Sequence, residues 1–352
     1  MRTVARYFLL TAPFVIAAGL ILVPVGAPRA DEGRPGIRDL YIVAHQDDDL
    51  LFMNPDLQDA IDAGHTIKTV FLTAGHNDPA TTSAEAVPPG SPRVGSSAPY
   101  YLEREAGSLA AYATMAGVSN RWTAKERDAD EQETEDGVPI EVSLVERPNI
   151  SLVFFRLPIG DGTGAASGPG VFAVNLRDLW LGNAQTIPAL DGSAAYTKDQ
   201  LVKALTRLIH RFSPHLIVTQ DSSGFNGTGR DPSGINIFFT GNTGECDLYD
   251  NSDHYYGATF ARAAENAWGR THRLRRYRGY NIGNEAPNVF GQDLARKKLV
   301  FQAYAERDTA IFSSHPPFCG PGGFCLYDNW QQRQYRVDVN NPPSYTTCIP
   351  LP

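Results

Sequence analysis

With 352 residues, the chain is long enough for one large α/β domain or two modest ones. Its formal net charge is −8, and it carries no basic patch interleaved with aromatic residues. Such a surface repels phosphate backbones, which excludes nucleic acid as the expected partner.

The chain opens with Arg2 and Arg6, an apolar run from Tyr7 to Val25, and small residues around Gly26, Ala27 and Ala30. That order predicts a secretory signal peptide over residues 1–30 and a secreted or extracytoplasmic product. An uncleaved N-terminal anchor is the alternative; Pro13, Pro24, Gly19 and the flanking Gly26 argue against a stable span. No stable membrane insertion is expected once the signal is removed. Loss of Arg2, Arg6 and Arg29 takes the charge from −8 to −11. Cys246, Cys319, Cys325 and Cys348 all lie in the C-terminal third, and in an exported chain they predict two disulfides with three possible pairings. Their spacing matches no zinc ribbon.

Residues 40–44 read as a strand buried on both faces, because Leu, Ile and Val run together without alternation. Asn54 to Ala63 predicts a helix with Asn54 as N-cap, Pro55 at its first position and Gly64 just past its end. Thr66 to Leu72 is the next strand, leading into Thr73-Ala74-Gly75-His76. Strand, helix and strand in this order build parallel sheets. Residues 77–99 read as a surface loop, and Tyr101 to Ala116 as a helix stopped by Gly117. Asn120 to Glu146 is polar, with an acidic run from Asp128 to Asp136 that predicts a solvated hairpin or excursion without chemistry.

Ser151 to Leu157 is a further buried strand. The glycine-rich Gly160–Gly164 after it lacks the Gly-Lys-Ser/Thr ending of a phosphate loop. Thr197 to Phe212 predicts a capped amphipathic helix, and His215 to Thr219 a strand ending at Gln220-Asp221. Residues 222–250 are rich in Gly, Asn and Ser, a long loop with Cys246 as a candidate tether. Asn251-Ser252-Asp253-His254 opens a helix through Trp268, followed by a strand from Arg273 to Ile282 and a helix from Gln292 to Ala305. Residues 313–352 show no periodicity and read as a disulfide-tied tail packed on a single domain spanning residues 31–312.

The chemistry concentrates after the first strand, in His45-Gln46-Asp47-Asp48-Asp49. Three adjacent carboxylates repel one another, so a fold that keeps them beside a buried strand needs a counter-charge. Imidazole and carboxylate together suit zinc or a neighbouring transition metal. The plainer reading is an Asp-rich solvated turn. A turn has no need of His45, however, and would not return at once to Leu50-Leu51-Phe52. His76 and Asp78 follow a second strand, Asp221 a third, and Asp253-His254 begins a helix. Sites in open parallel sheets form at the carboxyl ends of the strands, so these segments converge on one rim. Phe225, Tyr249, Tyr255 and Tyr256 are candidates for sugar stacking or for simple packing.

Ala44-His45-Gln46-Asp47-Asp48-Asp49 resembles the Ala-His-Pro-Asp-Asp-Asp/Glu motif of the PIG-L/LmbE-like zinc de-N-acetylases. Asn251-Ser252-Asp253-His254 is similar to that family's His-x-Asp-His motif. Tyr101 to Glu105 with Ala110 to Val118 resembles its Arg-Glu helix, and Phe155 to Pro158 and Val218 to Asp221 resemble segments of its secreted bacterial members. The resemblance spans roughly residues 38 to 310 in matching order. It implies a Rossmann-like, mostly parallel sheet with helices on both faces, and hydrolysis of an N-acetyl group on an amino-sugar glycan or glycoconjugate. It also implies His45, Asp48 and His254 as Zn2+ ligands, Asp47 as general base, and Arg104 and Asp221 as substrate-binding residues.

Two positions depart from the family pattern. Gln46 replaces a proline, which predicts a looser turn. Asn251 stands where the family often has a histidine that assists the oxyanion or leaving group, so Asn251 is carried as a catalytic position able to donate but not titrate. Asp253 is expected to support His254 or to cap its helix. Two further readings are a zinc hydrolase of longer acyl amides or esters, and a non-catalytic zinc- or carbohydrate-binding protein. Asp47 favours turnover, because metal binding alone does not require a base beside the ligands.

Overall fold

The computed structural model describes residues 36–76, 99–125, 139–159, 174–222, 250–308 and 326–337. The expected signal peptide, the acidic run, all four cysteines and most of the loop over 222–250 lie outside these residues.

Strand β1 (Arg38–Val43) leads into a short helix α1 (Asp48–Phe52), then helix α2 (Asp56–Asp62) and strand β2 (Thr66–Thr73). A single helix was expected from Asn54. The chain instead forms two, because the acidic stretch after His45 itself turns helical. Pro55 occupies the N-cap of α2 rather than its first helical position. Helix α3 (Tyr100–Ala116) ends on Gly117 in the left-handed conformation. The polar excursion supplies β3 (Trp122–Ala124) and β4 (Ile140–Leu144), paired antiparallel. After β5 (Ile150–Leu157) come helix α4 (Leu176–Leu181) and a small antiparallel ribbon, β6 (Ile187–Pro188) with β7 (Ala195–Tyr196).

Helix α5 (Lys198–Phe212) starts with a full capping box between Thr197 and Gln200. Strand β8 (Leu216–Gln220), helix α6 (Ser252–Trp268) and strand β9 (Arg273–Tyr277) follow. The strand expected to reach Ile282 stops at Tyr277, and a 3-10 turn covers Tyr280–Asn284. Helix α7 (Gly291–Ala305) is followed by α8 (Leu326–Gln331) and β10 (Arg336–Val337). This last pair revises the expectation of an aperiodic tail: β10 joins the main sheet as an antiparallel edge on β9.

The main sheet runs β10-β9-β8-β1-β2-β5-β4-β3, with β9, β8, β1, β2 and β5 parallel. Successive residues of β1 feed opposite layers. Leu40 and Ile42 join a core with Leu205, Tyr256 and Phe260, whereas Tyr41 and Val43 join one with Tyr112, Phe301 and Tyr304. Both faces are therefore covered, as the unalternating apolar run required. Helices α3 and α7 pack closely where Gly107 leaves room for Tyr304; a Cβ there would sit 2.6 Å from the ring. From β1 the chain order proceeds outward through β2 on one side and β8 on the other, making the β1–β8 junction a topological switch point. Among the described residues, no helix is long and apolar enough to cross a membrane.

Candidate metal centre

The carboxyl end of β1 and the first turn of α6 meet at the switch point. His45 Nδ1 lies 3.1 Å from His254 Nε2 and 3.5 Å from Asp48 Oδ1, and His254 Nε2 lies 2.9 Å from Asp48 Oδ1. All three side chains are buried. The other Asp48 oxygen accepts a 2.6 Å hydrogen bond from the backbone amide of His45, which fixes the carboxylate against its own strand end. Burial would raise Asp48, but the His254 and His45 imidazoles outweigh it and hold the carboxyl well below the usual range. Burial would likewise lower His254, yet Asp48 and then Asp250 keep it well above an ordinary histidine.

These residues fit a divalent cation. Asp48 Oδ1 is buried and makes no hydrogen bond, although an imidazole nitrogen lies within 2.9 Å. The two nitrogens and the oxygen lie within 3.5 Å of one another, close enough for one ion to take all three, and the donor set is one zinc favours. Each imidazole also has an acidic partner behind it. Asp250 Oδ1 is 2.7 Å from His254 Nδ1, and Asp253 Oδ2 is 3.5 Å from His45 Nε2. Such partners set ring orientation and tautomer. Asp253, expected to support His254 or to cap its helix, faces His45 instead, and the N-cap is Asn251.

The three consecutive aspartates diverge because successive helical residues point about 100° apart. Asp47 Oδ1 accepts a 2.6 Å hydrogen bond from Arg104 Nη2. Asp48 faces the two histidines. Asp49 turns into the core, where the Tyr112 hydroxyl donates to it at 2.5 Å; burial and the neighbouring Asp48 and Asp47 charges push its carboxyl up to about 8 against that hydrogen bond. The mutual repulsion that called for a counter-charge is relieved in three directions, and one aspartate of the three meets the histidines.

Arg104 is buried rather than presented to solvent. It donates to Tyr304 Oη at 2.9 Å, to the Gly75 carbonyl at 3.1 Å and to Asp47. Gly75 has φ +64°, and a Cβ there would sit 2.0 Å from Arg104 Nη1, so the guanidinium occupies a slot that a side chain would fill. Asp221 accepts from Arg276 at 2.9 Å. Asn251 is the N-cap of α6, its side-chain oxygen accepting from the Asp253 amide at 2.8 Å. His76 packs edge-on to Tyr100 at 5.6 Å. Gln46, expected to loosen the turn, ties it down: its amide donates to the Thr73 carbonyl at 3.0 Å, and Ser108 donates to the Gln46 carbonyl at 3.0 Å. Tyr256 is buried in the core, whereas Phe225 and Tyr249 lie outside the described residues.

Sequence reasoning missed Asp250 and the aromatic box around His254. Asp250 also accepts from the backbone amides of Asn251 and Tyr280, and Gly279 must lack a Cβ to let its carboxylate approach. Asp250 precedes the extended N-cap Asn251 and so lies outside α6, where helical spacing gives no signal for it. Tyr280 packs 4.7 Å from the His254 ring and stacks on Trp330 at 4.5 Å, with Phe52 beside both, 5.6 Å from His254 and 5.4 Å from Tyr280. Trp330 comes from the last segment of the chain, and no local pattern announces that contact.

Among solved structures, the chain is similar to the A40926 pseudoaglycone deacetylase Dbv21 at 13% identity, covering 82% of this chain and 87% of that one, with a TM-score of 0.42. It is similar to the zinc-inhibited form of teicoplanin deacetylase Orf2 at 14% identity, covering 83% and 90%, TM-score 0.38. It is also similar to N,N'-diacetylchitobiose deacetylase from Pyrococcus horikoshii at 11% identity, covering 80% and 72%, TM-score 0.37. No curated protein sequence matches the chain. Assignment rests instead on the family model described as PIG-L, GlcNAc-PI de-N-acetylase, which matches residues 40–229 and so takes in His45, Asp47, Asp48, Arg104 and Asp221. Spanning more than half of the 352 residues, that match shows that the chain belongs to the PIG-L family, a family of hydrolytic N-deacetylases.

Proposed function

We propose that this protein is a zinc-dependent hydrolase that removes N-acetyl groups from an amino-sugar-containing glycan or glycoconjugate. The observation that carries the reading is the gathering of His45 Nδ1, Asp48 Oδ1 and His254 Nε2 within 3.5 Å of one another, with Asp47 adjacent to Asp48 and held by Arg104. The amino-sugar substrate is supported by the family's description, and zinc by the preference of that ion for imidazole and carboxylate donors. Zinc held by the three residues would supply a Lewis acid that lowers the pKa of water to about 7 and draws charge onto an acyl oxygen.

The chain's own residues do the rest. Arg104 engages one oxygen of Asp47, leaving Oδ2 to take a proton from the attacking water and return it to the departing amine. Asp250 and Asp253 engage the far nitrogen of each imidazole, leaving His254 Nε2 and His45 Nδ1 on the side of Asp48. Asn251 uses its side-chain oxygen as a helix cap, so any part it takes in the reaction falls to its amide nitrogen. The sequence of residues 1–30 supports export, which N-terminal sequencing of secreted protein checks.

The deciding experiment is acetate release from N-acetylglucosamine oligomers by purified protein, with and without chelator, alongside its metal content. Bound zinc and chelator-sensitive acetate release are expected. Metal-free protein, or release that ignores the chelator, would sink the assignment.

A further inference from the structure

Behind Asp47 lies a buried polar network that continues past Arg104 to residues the reaction described so far does not use. Asp308, fully buried just past the end of α7, accepts hydrogen bonds from Tyr100 Oη at 2.8 Å and Tyr304 Oη at 2.9 Å. Tyr304 Oη in turn accepts from Arg104 Nε at 2.9 Å, and the same Nε lies 3.3 Å from Asp308 Oδ2. Arg104 then reaches Asp47 through Nη2. One guanidinium therefore stands between two carboxylates, with both tyrosine hydroxyls turned towards Asp308.

The geometry leaves Arg104 little freedom. Tyr100 and Arg104 stand one turn apart on α3, and Tyr304 and Asp308 one turn apart at the end of α7, so the two helices are cross-linked at matching heights. The Gly75 slot confines Nη1, and the Tyr304 ring is itself held against Gly107. A network serving only to dock α3 on α7 could end at Asp308 and the tyrosines. This one continues to the carboxylate beside the metal centre.

We propose that Asp308 is a positioning residue for Asp47: through Tyr304 and Arg104 it sets where the Asp47 carboxylate points. Asp308 and Tyr304 lie beyond the residues matched by the family model. The inference rests on Asp47 acting as the base, and it concerns orientation, so it predicts an effect on turnover rather than on substrate or metal binding. Misplacement of a reacting group by about 1 Å costs on the order of 100-fold in rate.

The test compares Asp308→Ala, Asp308→Asn and Tyr304→Phe with the parent in the zinc-loaded full chain. kcat and KM for acetate release are measured, together with zinc content, Tm and crystal structures. Asp308→Ala should lower kcat about 100-fold at unchanged KM and full zinc occupancy. Asp308→Asn, which keeps an acceptor for the tyrosines, should recover part of that loss, and the Asp47 carboxylate should be displaced in the Ala variant. A folded, zinc-loaded Asp308→Ala enzyme with parental kcat and an unmoved Asp47 overturns the proposal. If the Ala variant fails to fold, Tyr304→Phe, which removes one hydroxyl, decides by the same criteria. If the parent releases no acetate, the deacetylase reading fails by itself, and the position of Asp47 in the variant structures still decides this one.

Discussion

Arg104 and Glu105 are neighbours on α3, both buried, and each makes an arginine–carboxylate pair at 2.6 Å. They point to different tasks. Arg104 holds Asp47 beside the candidate metal centre. Glu105 accepts two hydrogen bonds from Arg156 at the end of β5, and Arg156 also donates to Asp191 at 2.7 Å. Arg156 has φ +58°, a left-handed backbone unusual outside glycine, so this second pair secures a strained strand end and the segment around Leu190 that bonds to its carbonyl. The same buried interaction thus holds the proposed base in one case and closes the scaffold in the other. A buried ion pair is weak evidence of stabilisation as such; what it points at decides its use.

The comparison breaks hardest at the candidate metal centre itself. His254→Ala or Asp48→Ala should abolish zinc retention and acetate release together while the protein stays folded, as read by metal analysis and circular dichroism. Asp47→Asn should separate the two: zinc is kept, while the rate falls about 10²–10⁴-fold, the usual worth of a general acid–base group. A zinc-loaded Asp47→Asn enzyme turning over at the parental rate removes Asp47 from the mechanism.

Next in size is the contrast within α3. Arg104→Lys retains the charge but loses the planar fork that reaches Tyr304, Gly75 and Asp47 at once. It should lower kcat by roughly 10- to 100-fold at full zinc content. Glu105→Ala should instead lower stability by about 3 kcal/mol, since it strips a buried partner from Arg156, while the kcat of the folded enzyme stays near parental. If Arg104→Lys moves only Tm, or Glu105→Ala only kcat, the division of labour is wrong.

How much of this was legible in the sequence follows from where each interaction is encoded. His45, Asp47 and Asp48 sit in one stretch, and their residue types conflict with a buried strand end unless something charged meets them. The parallel strands and long helices were legible because their apolar patterns are local, whereas the two-residue strands β6 and β7 carry no such pattern. Helix α1 was not, having five residues and an acidic start. The directions taken by Asp49 and Arg104 were hidden as well, because Tyr112 lies 63 positions from Asp49, and Tyr304 lies 200 from Arg104. Trp330 behind Tyr280, and β10 with two residues, depend on packing that no periodicity announces.

A smaller effect is expected from pH. Burial pushes the Glu105 carboxyl up, with Arg156 opposing but not cancelling it. The native state therefore keeps a proton that the unfolded chain has released, and its stability falls as pH rises from the ordinary glutamate value of about 4.3 through the raised native one. Relative to Glu105→Gln, which has no such proton, the parent should lose Tm over that acid range and hold a constant difference above it. A difference flat with pH throughout would show that Glu105 titrates as it does in the unfolded chain.

The smallest change is predicted where the same pairing faces water. Arg121 and Glu146 approach to 2.9 Å with side chains 64% and 36% exposed. There the solvent screens the attraction, and ordering two long side chains offsets the remainder. Glu146→Gln should leave Tm, zinc content and kcat unchanged. The contact is also a single 2.9 Å hydrogen bond where Glu105 takes two at 2.6 Å: if this variant lowered Tm as far as Glu105→Ala, the effect at Glu105 could no longer be ascribed to its burial and double bonding.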